Sequence, residues 1–166
     1  LRLLWKGLRA PEYRLRWRER FGLAVPVQQG GLWVHAVSVG ETLAAAPLIN
    51  AWREAHPDEP VLVTTMTPTG SARVQALWGN KVNHCYAPYD LPWAWGLFLR
   101  KVRPRVLVIM ETELWPNMLV SAQARGIPVV LVNARLSARS ARGYARVGWL
   151  TRPVLQHLSR IAAQDE

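Results

Sequence analysis

The chain has 166 residues, half of them apolar, which suits one domain with a substantial hydrophobic core and excludes wholesale disorder. Its single cysteine, Cys85, has no partner for an internal disulfide, and no Cys/His cluster has the spacing of a zinc site. The formal net charge of +10, with a pI of about 11.0, favours an anionic partner such as nucleic acid, phosphorylated lipid or a membrane surface.

The N-terminal thirty residues differ from the rest. Residues 1–20 carry seven Lys or Arg against two Glu, a net charge of +5, interleaved with Leu and Trp. This mixture is typical of a segment lying on an anionic membrane face, although a basic surface helix broken at Pro11 is the alternative. No stretch reaches the ~18 apolar residues of a membrane span. We expect residues 1–30 to be a basic membrane-proximal segment and residues 31–166 to be the folded domain.

From residue 32 onward, short apolar runs alternate with segments of helical periodicity. Strands are predicted at 32–38, 61–66, 82–87, 106–111 and 129–134, with a sixth in the last segment from 160. Helices are predicted at 42–55, 71–78, 91–102 and 115–126. Nearly continuous apolar strands separated by helices indicate an α/β fold, a Rossmann-like parallel sheet with helices on both faces.

Polar residues collect where the predicted strands end. In an open α/β sheet, ligands bind outside the carboxyl ends of the strands, so these residues would share one rim. The group comprises Ser38, Gly40, Glu41, Thr67, Thr69, Gly70, Ser71, Asp90, Glu111, Glu113, Asn133 and Arg135. The hydroxyls of residues 67–71, ahead of a helix, could cradle an anion. We predict a functional site at this rim.

Glu41 follows a strand end and a turn, in the first turn of a predicted helix. An acidic residue there complements the helix dipole by about 0.3–1 kcal/mol, and this structural role alone would explain it. Its position on the polar rim offers a catalytic role as the alternative.

Several other functions are weaker interpretations. The sequence has no G-x-G-x-x-G and no P-loop, which argues against dinucleotide and P-loop nucleotide sites. "AVSVG" nearly matches a hydrolase nucleophile elbow, with Ser38 followed by Asp90 or Glu111 and by His157. The first strand, however, has no upstream loop for an oxyanion hole. The high net charge also allows a basic nucleic-acid-binding domain. The sequence, however, lacks the aromatic–basic platforms that such domains use.

Five motifs in order resemble one family: "HAVSVGETLAAAPLI", "TTMTPTGSARVQ", "YAPYDLPWA", "IMETELWPN" and "VNARLSARSARGYA". The family is the 3-deoxy-D-manno-octulosonic acid (Kdo) transferase of Gram-negative lipopolysaccharide synthesis. "RAPEYRLRWRERFG" is also similar to the segment that follows the membrane anchor of that family. The resemblance covers essentially the whole chain.

The resemblance implies the N-terminal half of a GT-B glycosyltransferase that moves Kdo from CMP-Kdo to the lipid A precursor (lipid IVA), with inversion and without a metal or cofactor. By the family's motifs, Glu41 is the general base and Glu111 stabilises the transition state. The acceptor would contact the rim at Ser38, Gly40, Thr67, Thr69, Gly70, Glu113, Asn133 and Arg135.

The resemblance also carries expectations about extent and location. The C-terminal donor domain that binds CMP-Kdo lies outside this sequence, so we expect the 166 residues alone to be inactive. A non-catalytic acceptor-binding half-domain is the alternative description. The expected location is the cytoplasmic face of the inner membrane, on an anionic membrane surface and without nucleic acid as a partner.

Overall fold

A computed structural model describes residues 16–25, 28–134 and 159–163. Six parallel strands form one sheet in the order β3-β2-β1-β4-β5-β6. They are β1 (Leu32–His35), β2 (Val61–Thr65), β3 (Asn83–Tyr86), β4 (Val106–Met110), β5 (Val129–Ala134) and β6 (Arg160–Ala163). Within the described ranges the α-helices are α1 (Val39–Ala55), α2 (Pro68–Trp78), α3 (Pro92–Val102) and α4 (Pro116–Gln123). The predicted α/β fold is confirmed, and the elements lie within a few residues of their predicted bounds.

The sheet is covered on both faces, which explains its apolar strands. Successive strand residues point to opposite faces, so Trp33 belongs to one core and Val34 to the other. Trp33 packs with Phe98 of α3, in the core that also holds buried residues of α4. Val34 lies in the core shared with Ile49 of α1 and Val74 of α2. Helices α1 and α2 therefore cover one face, and α3 and α4 cover the other.

Strand β1 is the centre of the topology. It pairs with β2 on one side and with β4 on the other, and Val34 aligns with Val63 and with Val108. The chain leaves β1 toward β2 and β3 and returns through α3 to the opposite side of β1. The loops that follow β1 and β4 therefore diverge over opposite faces, which opens a crevice at the carboxyl ends of these strands.

The N-terminal part of the described chain packs against this domain. Residues 19–21 form a short 3-10 helix, and the Glu19 carboxylate accepts a 2.7 Å hydrogen bond from the backbone N–H of Tyr86, at the end of β3. Among the described residues, no helix combines the length and the apolar character needed to cross a bilayer. The expected domain boundary at residue 30 stays a prediction, and residues 1–15 lie outside the described ranges.

Gly31 allows a close approach of backbones at the start of β1. Its φ is +66°, and a Cβ added there would overlap the carbonyl oxygen of Pro60, the acceptor for the backbone N–H of Leu32. Neighbouring Gly30 has a φ of +88° and nothing within 4 Å of an added Cβ. A side chain at either position would strain the backbone, but only at Gly31 would it also overlap neighbouring atoms.

We expect Gly31→Ala to reduce the free energy of unfolding by about 3 kcal/mol or more, since the overlapping groups are backbone and cannot move aside. Gly30→Ala should lose only about 1 kcal/mol, for its left-handed conformation. Urea denaturation of both variants measures the difference. Equal losses would show that overlap with Pro60 is not the constraint.

Candidate active site at the carboxyl ends of the strands

Glu41 lies in the first turn of α1, where its carboxylate folds back over the start of the helix. Ser38 is the N-cap, and its hydroxyl accepts a 3.3 Å bond from the Glu41 backbone N–H. That hydroxyl also lies 2.7 Å from Glu41 Oε1, to which it can donate, and the backbone N–H of Val37 donates to Oε2 at 2.8 Å. This is a variant of the capping box, encoded locally by Ser38 and Glu41 three residues apart. Both oxygens keep lone pairs for a further donor.

Burial changes the acidity of the Glu41 carboxyl group, which a helix cap on an open surface would not show. The residue is only 5% exposed, and this burial is the largest cause that raises the pKa of its carboxyl group above the usual value. The hydrogen bonds from Ser38 and Val37 act in the opposite direction, while the negative charges of Glu113 and Glu111 raise the pKa further. A carboxylate with a raised pKa is a better proton acceptor once it is ionised.

Glu111 and Glu113 approach Glu41 from the neighbouring strand. His35 aligns with Ile109 in the pairing of β1 with β4, so the residues that follow both strands lie side by side. Glu111 is the first residue after β4, and Glu113 lies in the short loop between β4 and α4. The predicted grouping of these three glutamates at one rim agrees with the structure, whereas their chemical roles stay predictions.

Two rim residues have left-handed backbones. Glu111 has a φ of 58° and Asn133 a φ of 57°. Asn tolerates this region, but a Glu there costs about 1 kcal/mol or more and needs the surrounding structure to hold it. The backbone N–H of Glu111 donates to the carbonyl of Val132 in β5 at 2.9 Å, which fixes the turn at the end of β4. Such strain is typical of functional sites.

The rings of Trp115 and His35 pack together beside the glutamates. The Trp115 ring packs against His35 with centroids 4.8 Å apart, and its indole N–H donates to Glu113 Oε2 at 2.9 Å. His35 is fully buried, which lowers the pKa of its imidazole to about 3 and keeps it neutral. The sequence did not predict this contact, because a contact between β1 and the start of α4 has no local signal.

The hydroxyl segment after β2 caps its own helix. Thr67 is the N-cap of α2, and its hydroxyl accepts from the backbone N–H of Gly70 at 3.0 Å. The Thr69 hydroxyl donates to the same oxygen at 3.3 Å, and Ser71 accepts from Arg16 at 3.1 Å. One amide of the predicted anion cradle is therefore already occupied within the protein.

Asp90 holds two helices together. Its Oδ1 accepts from the Trp95 indole N–H at 2.9 Å and from the Met118 backbone N–H at 3.0 Å, while Oδ2 accepts from the Asn117 backbone N–H at 3.2 Å. The carboxylate thus caps the N-terminus of α4 from a different segment and joins it to α3. Sequence reasoning placed Asp90 among the rim carboxylates, but it missed this structural function.

Basic residues before β1 also reach the rim. The Arg20 guanidinium is buried, donates to the Met66 carbonyl at 3.2 Å and lies 4.1 Å from the centroid of the Tyr86 ring. Arg16 contacts Glu19 and the carbonyl of His84. The charge pattern predicted a basic surface segment here, yet part of it is packed against the ends of β2 and β3.

The remaining predicted site residues are Gly40, which the structure describes, and Arg135, which it does not. Gly40 is exposed in the first turn of α1, on the same segment as Ser38 and Glu41. Arg135 lies outside the described residues, as does His157 of the hydrolase alternative. In the parts of the chain that the structure describes, no three His, Cys, Asp or Glu side chains group as metal ligands. Metal independence of the reaction stays a prediction.

Comparison with known proteins identifies relatives for nearly the whole chain. A family model described as "3-Deoxy-D-manno-octulosonic-acid transferase (kdotransferase)" matches residues 15–166. The chain is 43% identical over 163 residues to a 3-deoxy-D-manno-octulosonic acid transferase of Haemophilus influenzae, covering 96% of this chain and 38% of that protein. The protein of the same name from Bordetella pertussis is 40% identical over 181 residues, covering 98% of this chain and 41% of that protein.

A plant relative extends this similarity. The probable mitochondrial 3-deoxy-D-manno-octulosonic acid transferase of Arabidopsis thaliana is 39% identical over 147 residues, covering 87% of this chain and 33% of that protein. The chain spans 33–41% of the length of these curated relatives.

We expect Asp90→Ala to lower the free energy of unfolding by about 2–4 kcal/mol, because α4 loses its cap and the buried indole of Trp95 loses its acceptor. Asp58→Ala, at an exposed loop position, is the matched control and should change stability little. Chemical denaturation measures both. A loss no larger than that of the control would contradict the capping function of Asp90.

Proposed function

Since the chain belongs to the Kdo transferase family of glycosyltransferases, we propose that it forms the acceptor-binding half of an enzyme that transfers Kdo from CMP-Kdo to lipid IVA in lipopolysaccharide core synthesis. The proposed reaction inverts the configuration of the sugar and needs no metal. The observation that carries the proposal is the buried Glu41 carboxylate at the β1 end, next to the two glutamates that follow β4.

Glu41 is the proposed general base. The 6′-hydroxyl of the acceptor disaccharide attacks the anomeric carbon of Kdo while the bond from that carbon to the phosphate oxygen of CMP breaks. Glu41 takes the hydroxyl proton, and CMP leaves with the electron pair of the broken bond. Attack on the side opposite the leaving group inverts the configuration. The raised pKa of Glu41 supports this role, since proton transfer is most effective when the base has a pKa close to the working pH.

Glu111 is the proposed transition-state stabiliser. Positive charge develops on the sugar as the bond to CMP weakens, as in the oxocarbenium-like transition states of glycoside hydrolysis. A carboxylate held in place before the reaction stabilises that charge without reorganising. The left-handed backbone of Glu111, fixed by its bond to Val132, supports such a fixed position.

The acceptor is proposed to lie across the remaining rim groups. These are Ser38, Gly40, Thr67, Thr69, Gly70, Glu113, Asn133 and Arg135. Lipid IVA is a phosphorylated disaccharide, and the net charge of +10 on this chain supports an anionic ligand.

Transfer also requires the donor to be held against the acceptor. Correct positioning of two reactants can account for roughly 7–11 kcal/mol of a barrier. We propose that CMP-Kdo is bound by a second domain, so residues 1–166 alone bind the acceptor without transferring Kdo. Transfer of Kdo therefore has to be measured in the full-length enzyme.

We propose that the chain lies at the cytoplasmic face of the inner membrane, and a surface cluster of aromatic side chains supports contact with a membrane. Trp17 and Trp93 are 56% and 52% exposed, and Phe21 stacks on Trp93 with centroids 5.7 Å apart. Trp17 meets Phe21 edge-on at 6.1 Å, so the three rings are continuous. Exposed Trp side chains are enriched at membrane–water interfaces. We define this group as the aromatic cluster.

The charge around the aromatic cluster favours anionic lipid. The cluster begins within residues 1–20, whose net charge is +5, and exposed Arg18 directly follows Trp17. Each Lys or Arg near an anionic surface adds about 1 kcal/mol of attraction at most. We propose that the aromatic cluster inserts among lipid headgroups while the neighbouring cations bind them.

In the full-length enzyme, Glu41→Gln should retain acceptor binding but lose on the order of 10²–10⁴ in transfer rate, the usual contribution of a general base. The matched control is Glu54→Gln, exposed near the other end of α1. Transfer from CMP-Kdo to lipid IVA is measured for both variants and for the isolated 166-residue chain, which we expect to be inactive. A Glu41→Gln rate close to that of the control would exclude Glu41 as the base.

The double variant Trp17→Ser, Trp93→Ser should bind anionic vesicles at least about tenfold more weakly, because it removes apolar area that the membrane would bury. Val120→Ser, a similarly exposed apolar position on α4, should bind like the unchanged chain. Sedimentation with vesicles of anionic and of neutral lipid, at low and high salt, measures the affinities. Binding by the double variant equal to that of Val120→Ser would rule out the aromatic cluster as the membrane contact.

A further inference from the structure

We propose that Trp115 is a positioning residue that holds the Glu113 carboxylate at the end of β1 and β4, where Glu41 also lies, and that the charge held there makes Glu41 a stronger proton acceptor. The proposal rests on the function proposed above for Glu41. It gives Trp115 a first role and gives Glu113, already placed among the proposed acceptor contacts, a second one. Neither residue touches the reacting atoms in the mechanism.

The contacts of Trp115 fix it in one place. Its ring meets His35 edge-on at 4.8 Å and Trp95 at 6.1 Å, so it bridges the end of β1 and the first turns of α3. Its backbone carbonyl accepts from Leu119 at 3.0 Å, in the first turn of α4. With the ring held on both sides, the indole N–H has a fixed direction, and it points at Glu113 Oε2, 2.9 Å away.

His35 provides a neutral and rigid surface for this ring. It is fully buried, and its Nδ1 lies 2.9 Å from the Thr64 hydroxyl oxygen, which also accepts from the Trp33 indole at 2.9 Å. Burial lowers the pKa of His35 to about 3, so at neutral pH it carries no positive charge that would offset Glu113. The imidazole therefore positions Trp115 without adding charge to the site.

Glu113 would have more freedom without this contact. It lies in a loop of only five residues between β4 and α4, closed by a bond from Leu114 N–H to the Thr112 carbonyl at 2.8 Å. Glu113 is partly exposed, and a carboxylate there can turn toward water, where its charge would be screened. The indole N–H instead holds it beside the Trp115 ring. That ring contacts His35, two residues before Val37, whose backbone N–H donates to Glu41 Oε2.

The groups around Glu41 explain why an added negative charge matters. On its own segment, Val37 N–H and the Ser38 hydroxyl stabilise the ionised form and lower its pKa, which weakens it as a base. The positive end of the α1 dipole acts in the same direction. From the adjacent loop, Glu113 and Glu111 raise the pKa, in addition to burial. Glu113 thus offsets part of the cost that the helix cap imposes on the basicity of Glu41.

The test is direct titration of Glu41 in the 166-residue chain. Carboxyl ¹³C NMR with labelled glutamate follows each side chain, and the Glu41 signal is assigned by its loss in Glu41→Gln. Trp115→Phe keeps the ring contacts but removes the N–H, and Glu113→Gln removes the charge. Both should lower the titration midpoint of Glu41 by about 0.5–1 pH unit, as expected when a like charge withdraws. The double variant should shift it no further than Glu113→Gln alone.

The matched control is Trp78→Phe, which also removes an indole hydrogen bond, 2.8 Å to Asn50, but on α2 and away from the rim. It should leave the Glu41 midpoint unchanged. A midpoint that stays constant in Glu113→Gln would overturn the electrostatic part of the proposal. A midpoint that falls in Glu113→Gln but not in Trp115→Phe would overturn the positioning role of Trp115.

The full-length enzyme gives a second readout. If Glu41 is the base, Trp115→Phe should move the acid limb of the pH profile of kcat/KM to lower pH and reduce the plateau about two- to fivefold. A lower plateau with an unmoved acid limb would indicate a merely structural defect and contradict the proposal. Failure of every form to transfer Kdo would refute the proposed function, while the NMR titration would still decide the contact between Trp115, Glu113 and Glu41.

Discussion

The site depends on one constraint, the pairing of β1 with both β2 and β4 in parallel register. Parallel strands end at the same edge, so the residues after β1 and those after β4 are adjacent although about 70 residues separate them in the chain. The connections then diverge over opposite faces of the sheet, which leaves the crevice open. Glu41 reaches this crevice from α1, and Glu111 and Glu113 reach it from the loop before α4.

Within the crevice, the state of Glu41 results from opposed effects. Its hydrogen bonds and the helix dipole favour the ionised carboxylate, while burial and the two neighbouring glutamates disfavour it. A glutamate that caps a helix on an open surface would have only the hydrogen bonds and the helix dipole, which both lower its pKa. Burial makes the largest contribution to the raised pKa, so the packing that excludes water also increases the basicity of the group.

Apart from Ser38 and Glu41, which both cap α1 and form the centre of the site, the rim residues named here divide into two kinds. Thr67 and Asp90 complete helix N-termini: Thr67 caps its own segment, and Asp90 caps a helix 28 positions further along the chain. Glu111, Glu113 and Asn133 cap none of the helices that the structure describes, and two of them have left-handed backbones at strand ends. A dense set of polar residues at strand ends therefore overstates the size of a site, because every helix that starts at the rim needs its own cap.

The sequence by itself determined the elements of the fold, the family and the local geometry of Glu41. Strand and helix positions follow from apolar periodicity, and the bonds from Ser38 and Val37 follow from residues at most four apart. Only the tertiary structure decided the strand order, the use of Asp90 as a cap for α4 and the contact between His35 and Trp115. The physical reason is range. Periodicity and capping act between near neighbours in the chain, whereas these contacts join residues 27 or more positions apart. Such residues become neighbours only when the sheet and helices pack together.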